Sequence, residues 1–219
     1  MSRLDYEDRL RSLRNRSVIT QAMIWLFLLV ASLVALTTAW MTYLEFSTSY
    51  STFLITGPSL ALFLILGALP VVISLCAWVW RAQANLHDDG REGLNYSPAW
   101  ATMTLLIPGA NLLLPYGMMR ELWNRSHGLE SWGARHSAPP VTSWWALFVP
   151  GFALNAMLLF LVLFDLLTNI AVLTPPGANP LMMFAATALL IGAGVMLIRI
   201  LRAITLAQHT VTHVGDTFA

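Results

Sequence analysis

The chain has 219 residues, of which 57% are hydrophobic and only 11% are charged. Soluble domains carry about 25% charged residues, so the composition excludes an ordinary water-soluble globule. A net charge of +1 likewise excludes a basic nucleic-acid-binding domain.

Residues 17–44, 46–80, 93–119 and 137–164 contain no Asp, Glu, Lys or Arg, and 136–198 hold one such charge, Asp165. About 20 apolar residues span a bilayer. The pattern therefore predicts an all-α integral membrane helical bundle with four transmembrane helices and a Pro-broken re-entrant or interfacial element.

In chain order, residues 1–17 form an Arg-rich segment in which Leu4, Leu10 and Leu13 recur at near-helical spacing. It reads as a topology signal in a frayed tail, with a short interfacial helix as the alternative. A single membrane domain follows over 18–208, with spans at about 18–44, 53–80, 144–173 and 181–206, and 209–219 form a tail. The first span is too long for a signal-peptide core and is read as retained. Gly67 and Pro70 predict a kink in the second span. Within 99–119, Pro108, Gly109 and Pro115 argue against one straight helix.

All twelve basic residues are Arg. Five precede the first span, five lie between the second and third (Arg81, Arg91, Arg120, Arg125 and Arg135), and Arg199 and Arg202 end the fourth. Four crossings put all of them on one side, so the positive-inside rule predicts a plasma-membrane protein with both termini cytoplasmic. A fifth crossing through 99–119 would move the 120–135 group outside. Trp25, Trp78, Trp80, Trp100, Trp123, Trp132, Trp144 and Trp145 fall near the expected inner interface, as an aromatic belt would.

The connections at 45–52 and 174–180 are short, so the 81–143 connection is where a site has room. It holds His87-Asp88-Asp89, Glu92, Glu121 with His127, and Glu130 with His136. Four residues stand out as one polar cluster: Arg81, Asn85, Asn111 and Glu121. Arg81 and Asn85 share a helical face. Arg81 with Glu121 is the expected ion pair, and Asn85 and Asn111 are expected to satisfy backbone groups freed by Pro108 and Pro115. The cluster is read as structural, with an inner-leaflet anion or lipid site at Arg81 as the alternative. Asp165, inside the third span, is a candidate proton-coupling residue or a tolerated polar group hydrogen-bonded to Thr168 or Asn169. His209 and His213 stand at i, i+4 without an intervening carboxylate, Cys76 is alone, and Gly192-x-Gly194 favours close helix approach. No catalytic residue, metal site or cofactor is predicted.

The run Trp80-Arg81-x-x-x-Asn85-Leu86, then Tyr96-Ser97-Pro98-x-Trp100-Ala101, then Ile107-Pro108-x-x-Asn111-Leu112, then Pro115-Tyr116-x-x-Met119-x-Glu121-Leu122-Trp123 resembles a bacterial multi-pass membrane family, the domain of unknown function DUF4328. The resemblance covers roughly residues 60–170 and implies no activity, substrate or cofactor. In that family an aromatic residue often precedes the Ile-Pro pair; here Leu105-Leu106 stands there. The expected function is that of a non-enzymatic accessory or scaffold protein contacting membrane lipids, compatible with a homo-oligomer or a membrane-protein partner and with no nucleic acid. The alternatives are a small transporter or channel-like protein, or the lipid- or anion-binding protein just named.

Overall fold

A computed structural model describes residues 3–48, 53–107, 109–130, 134–168, 170 and 174–217, the side chains of 3–6, 53–55 and 211–217 excepted. Pro108, Trp132 and Asn169 lie outside the described residues, as does the His213 side chain. The described residues form six α-helices and no strands: α1 (Arg3–Thr48), α2 (Phe53–Asp88), α3 (Pro98–Leu106), α4 (Leu114–Ser126), α5 (Pro139–Thr168) and α6 (Ala178–Thr217). Four of them, α1, α2, α5 and α6, are long and apolar enough to cross a membrane. This is a multi-pass membrane protein.

The N-terminal segment differs from the expected frayed tail. It continues α1 as unbroken helix from Arg3. The reason lies in its buried face: Leu13, Ser17, Thr20 and Ile24 recur at helical spacing, and each is 2% exposed or less. Arg9 on the same helix meets the end of α2 in ion pairs. α2 is likewise one helix through Gly67 and Pro70.

The chain packs as two compact units. The first gathers residues 1–24, 70–145 and 196–219. Its core holds Trp78, Val79 and Leu86 of α2, Met118, Met119 and Leu122 of α4, and Ile200, Leu201 and Ile204 of α6. Polar side chains join its long helices at several levels. Thr20 Oγ1 donates to the Ser74 carbonyl (3.0 Å), Arg16 Nη1 to the Ala77 carbonyl (2.8 Å), and Arg202 Nε to Gln21 Oε1 (2.7 Å). Thr205 Oγ1 is bonded to Ser17 Oγ (3.1 Å) and accepts from Trp78 Nε1 (3.3 Å). Where hydrocarbon surrounds the helices, such bonds replace those that water would supply. Trp78 and Trp144 are therefore packing residues and not the belt residues expected: both are buried, whereas Trp25, Trp80 and Trp100 are exposed.

The second unit gathers residues 25–69 and 146–195. Ala31, Val34 and Met41 of α1, Leu64 of α2, Leu158 of α5 and Met183 of α6 form its core. Gly151 lets α5 and α6 approach: a β-carbon there would meet the Ala186 carbonyl and Leu189 Cβ at 3.1 Å. Small residues do this wherever membrane helices pack closely. At Gly192 the corresponding neighbour is a Leu147 methyl at 3.2 Å. Gly177, at φ +74°, sits against the Phe46 ring and donates its N–H to the buried Glu45 carboxylate (2.8 Å). Leu29, Leu33, Leu36 and Trp40 form an exposed apolar face on α1, suited to lipid tails.

Candidate functional site

Residues 99–119 are not one helix. α3 begins at Pro98 with Ser97 as its N-cap, whose Oγ accepts from the Trp100 N–H at 3.2 Å. It ends at Leu106, and nine residues rise only about 14 Å, half of a bilayer core. Ile107 is extended, Gly109 adopts φ +82°, and a 3₁₀ turn covers Ala110–Leu112. The interruption falls between Ile107 and Pro115, as expected. Pro115 occupies the first turn of α4, where its missing N–H costs nothing.

The four residues expected to form one cluster are distributed over four separate arrangements. Arg81 Nη2 faces Asp88 Oδ2, about two turns onward on the same face of α2, at 3.5 Å. Asp88 Oδ2 also meets Arg9 Nη1 at 3.1 Å, and Arg9 Nη2 lies 3.7 Å from Asp89 Oδ1. This α1–α2 ion-pair group replaces the expected Arg81–Glu121 pair. Burial raises the Asp89 carboxyl above its ordinary pKa, against the opposing pull of Arg9 and Arg91. Arg91 is held below the usual guanidinium range by burial and by Arg125, with Asp89 acting in the opposite direction.

Asn85, one turn from Arg81, points elsewhere. Its Nδ2 donates to Gln208 Oε1 of α6 (3.1 Å), and Gln208 Nε2 donates to Ser126 Oγ (2.9 Å) and the Ala82 carbonyl (3.1 Å). All three side chains are buried. Asn85 thus ties α2 and α6 to the end of α4, and not to backbone around Pro108. Asn111 is half-buried in the 3₁₀ turn, where its N–H donates to the Ile107 carbonyl (2.9 Å).

Glu121 is 2% exposed. Its carboxylate receives the Asn95 N–H at 3.1 Å on both oxygens and the Tyr96 N–H at 3.3 Å, and the Asn95 side-chain amide adds a further bond. One buried carboxylate therefore organises the turn into α3, as charge-assisted bonds from backbone N–H groups can. Gln83 Nε2 holds the same turn from α2 through the Tyr96 carbonyl (2.6 Å). Arg125, one turn along from Glu121 and also buried, donates to the Leu129 and Glu92 carbonyls at 2.8 and 2.6 Å. Asn124 Nδ2 donates to the Ala134 and His136 carbonyls at 3.0 and 2.9 Å.

Sequence reasoning passed over Gln83, Asn95, Tyr96, Asn124, Arg125 and Gln208. Only the last two turns of α4 offered a signal: Glu121, Asn124 and Arg125 fall within five positions of one short helix.

On the opposite flank of α4, Arg120 lies over the Tyr116 ring, 5.1 Å from its centroid. The Tyr116 hydroxyl is 3.2 Å from Thr142 Oγ1 of α5, and its ring packs 6.4 Å from that of Trp145. Tyr96 lies on Gly117, where a β-carbon would come within 2.8 Å of the phenol oxygen. Burial and Glu121 raise the Tyr96 phenol, while Arg120 and Arg135 pull it down.

Asp165 lies far along α5, in the second unit, and is half-buried. No described residue hydrogen-bonds to its carboxylate. Thr168, an expected partner, donates instead to the Phe164 carbonyl at 2.6 Å.

Among known proteins, no curated sequence and no solved structure matches the chain. Residues 48–206, from the end of α1 to within α6, match a family described as a domain of unknown function. That span takes in α2 to α5, the interrupted element, Gln83, Asn85 and the Glu121 turn. With most of its length matched, the chain belongs to the DUF4328 family of multi-pass membrane proteins.

Proposed function

We propose that the protein is a non-enzymatic accessory or scaffold protein of the plasma membrane, with both termini and the 81–143 connection in the cytoplasm. The observation that carries this reading is the use made of the buried polar groups. Asn85 and Glu121, the strongest site candidates, direct their side-chain bonds to the chain itself. Arg81 is engaged by Asp88, which weakens the reading in which Arg81 receives a lipid or anion. The orientation is supported by the twelve arginines, which four crossings place on one side. Reporter fusions after Ala219 and within Ala134–Pro140 are expected to read cytoplasmic, and a periplasmic signal at either position overturns the orientation.

A second reading, a small proton-coupled transporter, draws on Asp165, a carboxylate within the third span with no described hydrogen-bond partner. Proteoliposomes with an internal pH dye separate the two. The scaffold reading expects no proton flux above empty vesicles. A flux abolished by Asp165→Asn replaces it with the transporter reading.

A further inference from the structure

We propose that a small cavity of the second unit, among α2, α5 and α6, binds the hydroxyl group of a neutral apolar molecule dissolved in the membrane, a long-chain alcohol by class. Its walls include Pro58 and Ala61 of α2, Asn155, Leu159 and Val162 of α5, and Met183 of α6. The cavity measures about 20 Å³. One water-sized group needs about 10–15 Å³, so a single hydroxyl fits.

Asn155 supplies the amide in walls that are otherwise apolar. Its Nδ2 donates to the Gly151 carbonyl of its own helix at 3.0 Å. A carbonyl only accepts, so this bond fixes which end of the amide is nitrogen and which is oxygen. Oδ1 is the other end, and among the described residues no donor reaches it. Pro58 leaves a second acceptor on the facing helix. Proline has no N–H, so the Leu54 carbonyl, one turn earlier in α2, lacks its helical donor. Acceptors at membrane depth require donors, because hydrocarbon supplies none.

The ligand class follows by elimination. A charged group would find no counter-ion, since 46–80 and 137–164 contain no Asp, Glu, Lys or Arg. An ether or ester oxygen brings no donor. A hydroxyl brings one and is small enough. Water shares that chemistry, but the position favours a molecule with an apolar body. Asn155 lies about 24 Å along α5 from Pro139 and about 20 Å from Thr168, deep within the span. Leu159, on the cavity wall, is 36% exposed, so the site reaches the surface that faces lipid.

The test uses the full chain in phosphatidylcholine nanodiscs with two photoactivatable probes of equal length, a diazirine-bearing dodecanol and the diazirine-bearing dodecane that lacks the hydroxyl. Labelled positions are mapped by peptide mass spectrometry. The alcohol probe is expected to label residues 155–162 about five-fold more than the alkane, as one added hydrogen bond would. Unlabelled dodecanol should compete, and dodecyl methyl ether, which cannot donate, should not. Asn155→Leu removes the acceptor, and Ala61→Leu fills the cavity from α2 with Asn155 intact. Each should bring the two probes to equal labelling. The ether comparison is made on the unsubstituted protein, so it decides the matter even if both variants fail to fold. Equal labelling by alcohol and alkane in the wild type means that water alone fills the cavity, and overturns the proposal. Competition by the ether as strong as by dodecanol, or an undiminished preference in folded Asn155→Leu, overturns it as well.

Discussion

At the scale of single residues, the polar side chains act as fasteners whose partners lie far along the chain. Glu121 illustrates what one carboxylate can hold: it terminates the N–H groups of Asn95 and Tyr96, which would otherwise be left unpaired next to a membrane. Glu121→Gln keeps one acceptor oxygen, and is expected to cost about 1–3 kcal/mol in denaturant unfolding. The re-routing of Arg81 gives a sharper expectation. Costs of Arg81→Ala and Glu121→Ala should add, because the two share no bond, whereas Arg9→Ala and Asp88→Ala should couple. A double-mutant cycle measures both.

Asp89 gives a pH-dependent expectation. Its folded pKa is raised, chiefly by burial, so its contribution to stability is full below the ordinary Asp value of about 3.9 and is lost as pH rises through the folded value. Near neutral pH the ionised carboxylate is therefore a small net cost. Asp89→Asn should match wild type at acid pH and gain on it toward pH 7, by no more than about 1 kcal/mol, as befits a partly exposed ion pair. Unfolding midpoints between about pH 4 and 7 test this.

At the scale of elements, the composition made the four spans legible because a bilayer demands length and apolarity and little else. The interruption of 99–119 was equally legible, since Gly109 supplies the positive φ that the turn requires. Pro115 closes the interruption because proline, unfavourable in a helix interior, suits the first turn of the helix that follows. The unbroken α1 was missed because no local pattern fixes it. Leu13 and Arg9 become helix-stabilising only once α2 is beside them. The pairings Asn85–Gln208 and Glu121–Asn95 join elements whose register no local pattern encodes.

Two element contacts carry expectations of their own. Gly117→Ala should cost about 1–3 kcal/mol, since the new methyl displaces the Tyr96 hydroxyl. Tyr96→Phe should relieve most of that cost, because the next ring atom lies 3.9 Å away. On the α5–α6 seam, Gly151→Val pushes against the Ala186 carbonyl, which cannot rotate aside as a side chain would. A loss of about 1–3 kcal/mol in detergent unfolding is expected.

For the whole molecule, the first compact unit is assembled from three separate stretches, 1–24, 70–145 and 196–219. This has a consequence for synthesis. Asn85 waits for Gln208 across 123 residues and Ser17 waits for Thr205 across 188. At about 5–20 residues per second, the first interval alone lasts roughly 6–25 s. During that time α1 and α2 are already in the bilayer with polar side chains lacking their final acceptors. Until the last helix emerges, those groups need substitute hydrogen-bond partners. A nascent chain stalled before Met196 should therefore be a preferred target of membrane proteolysis, and one stalled beyond Thr210 should not; pulse-chase of the two arrested chains would compare their half-lives.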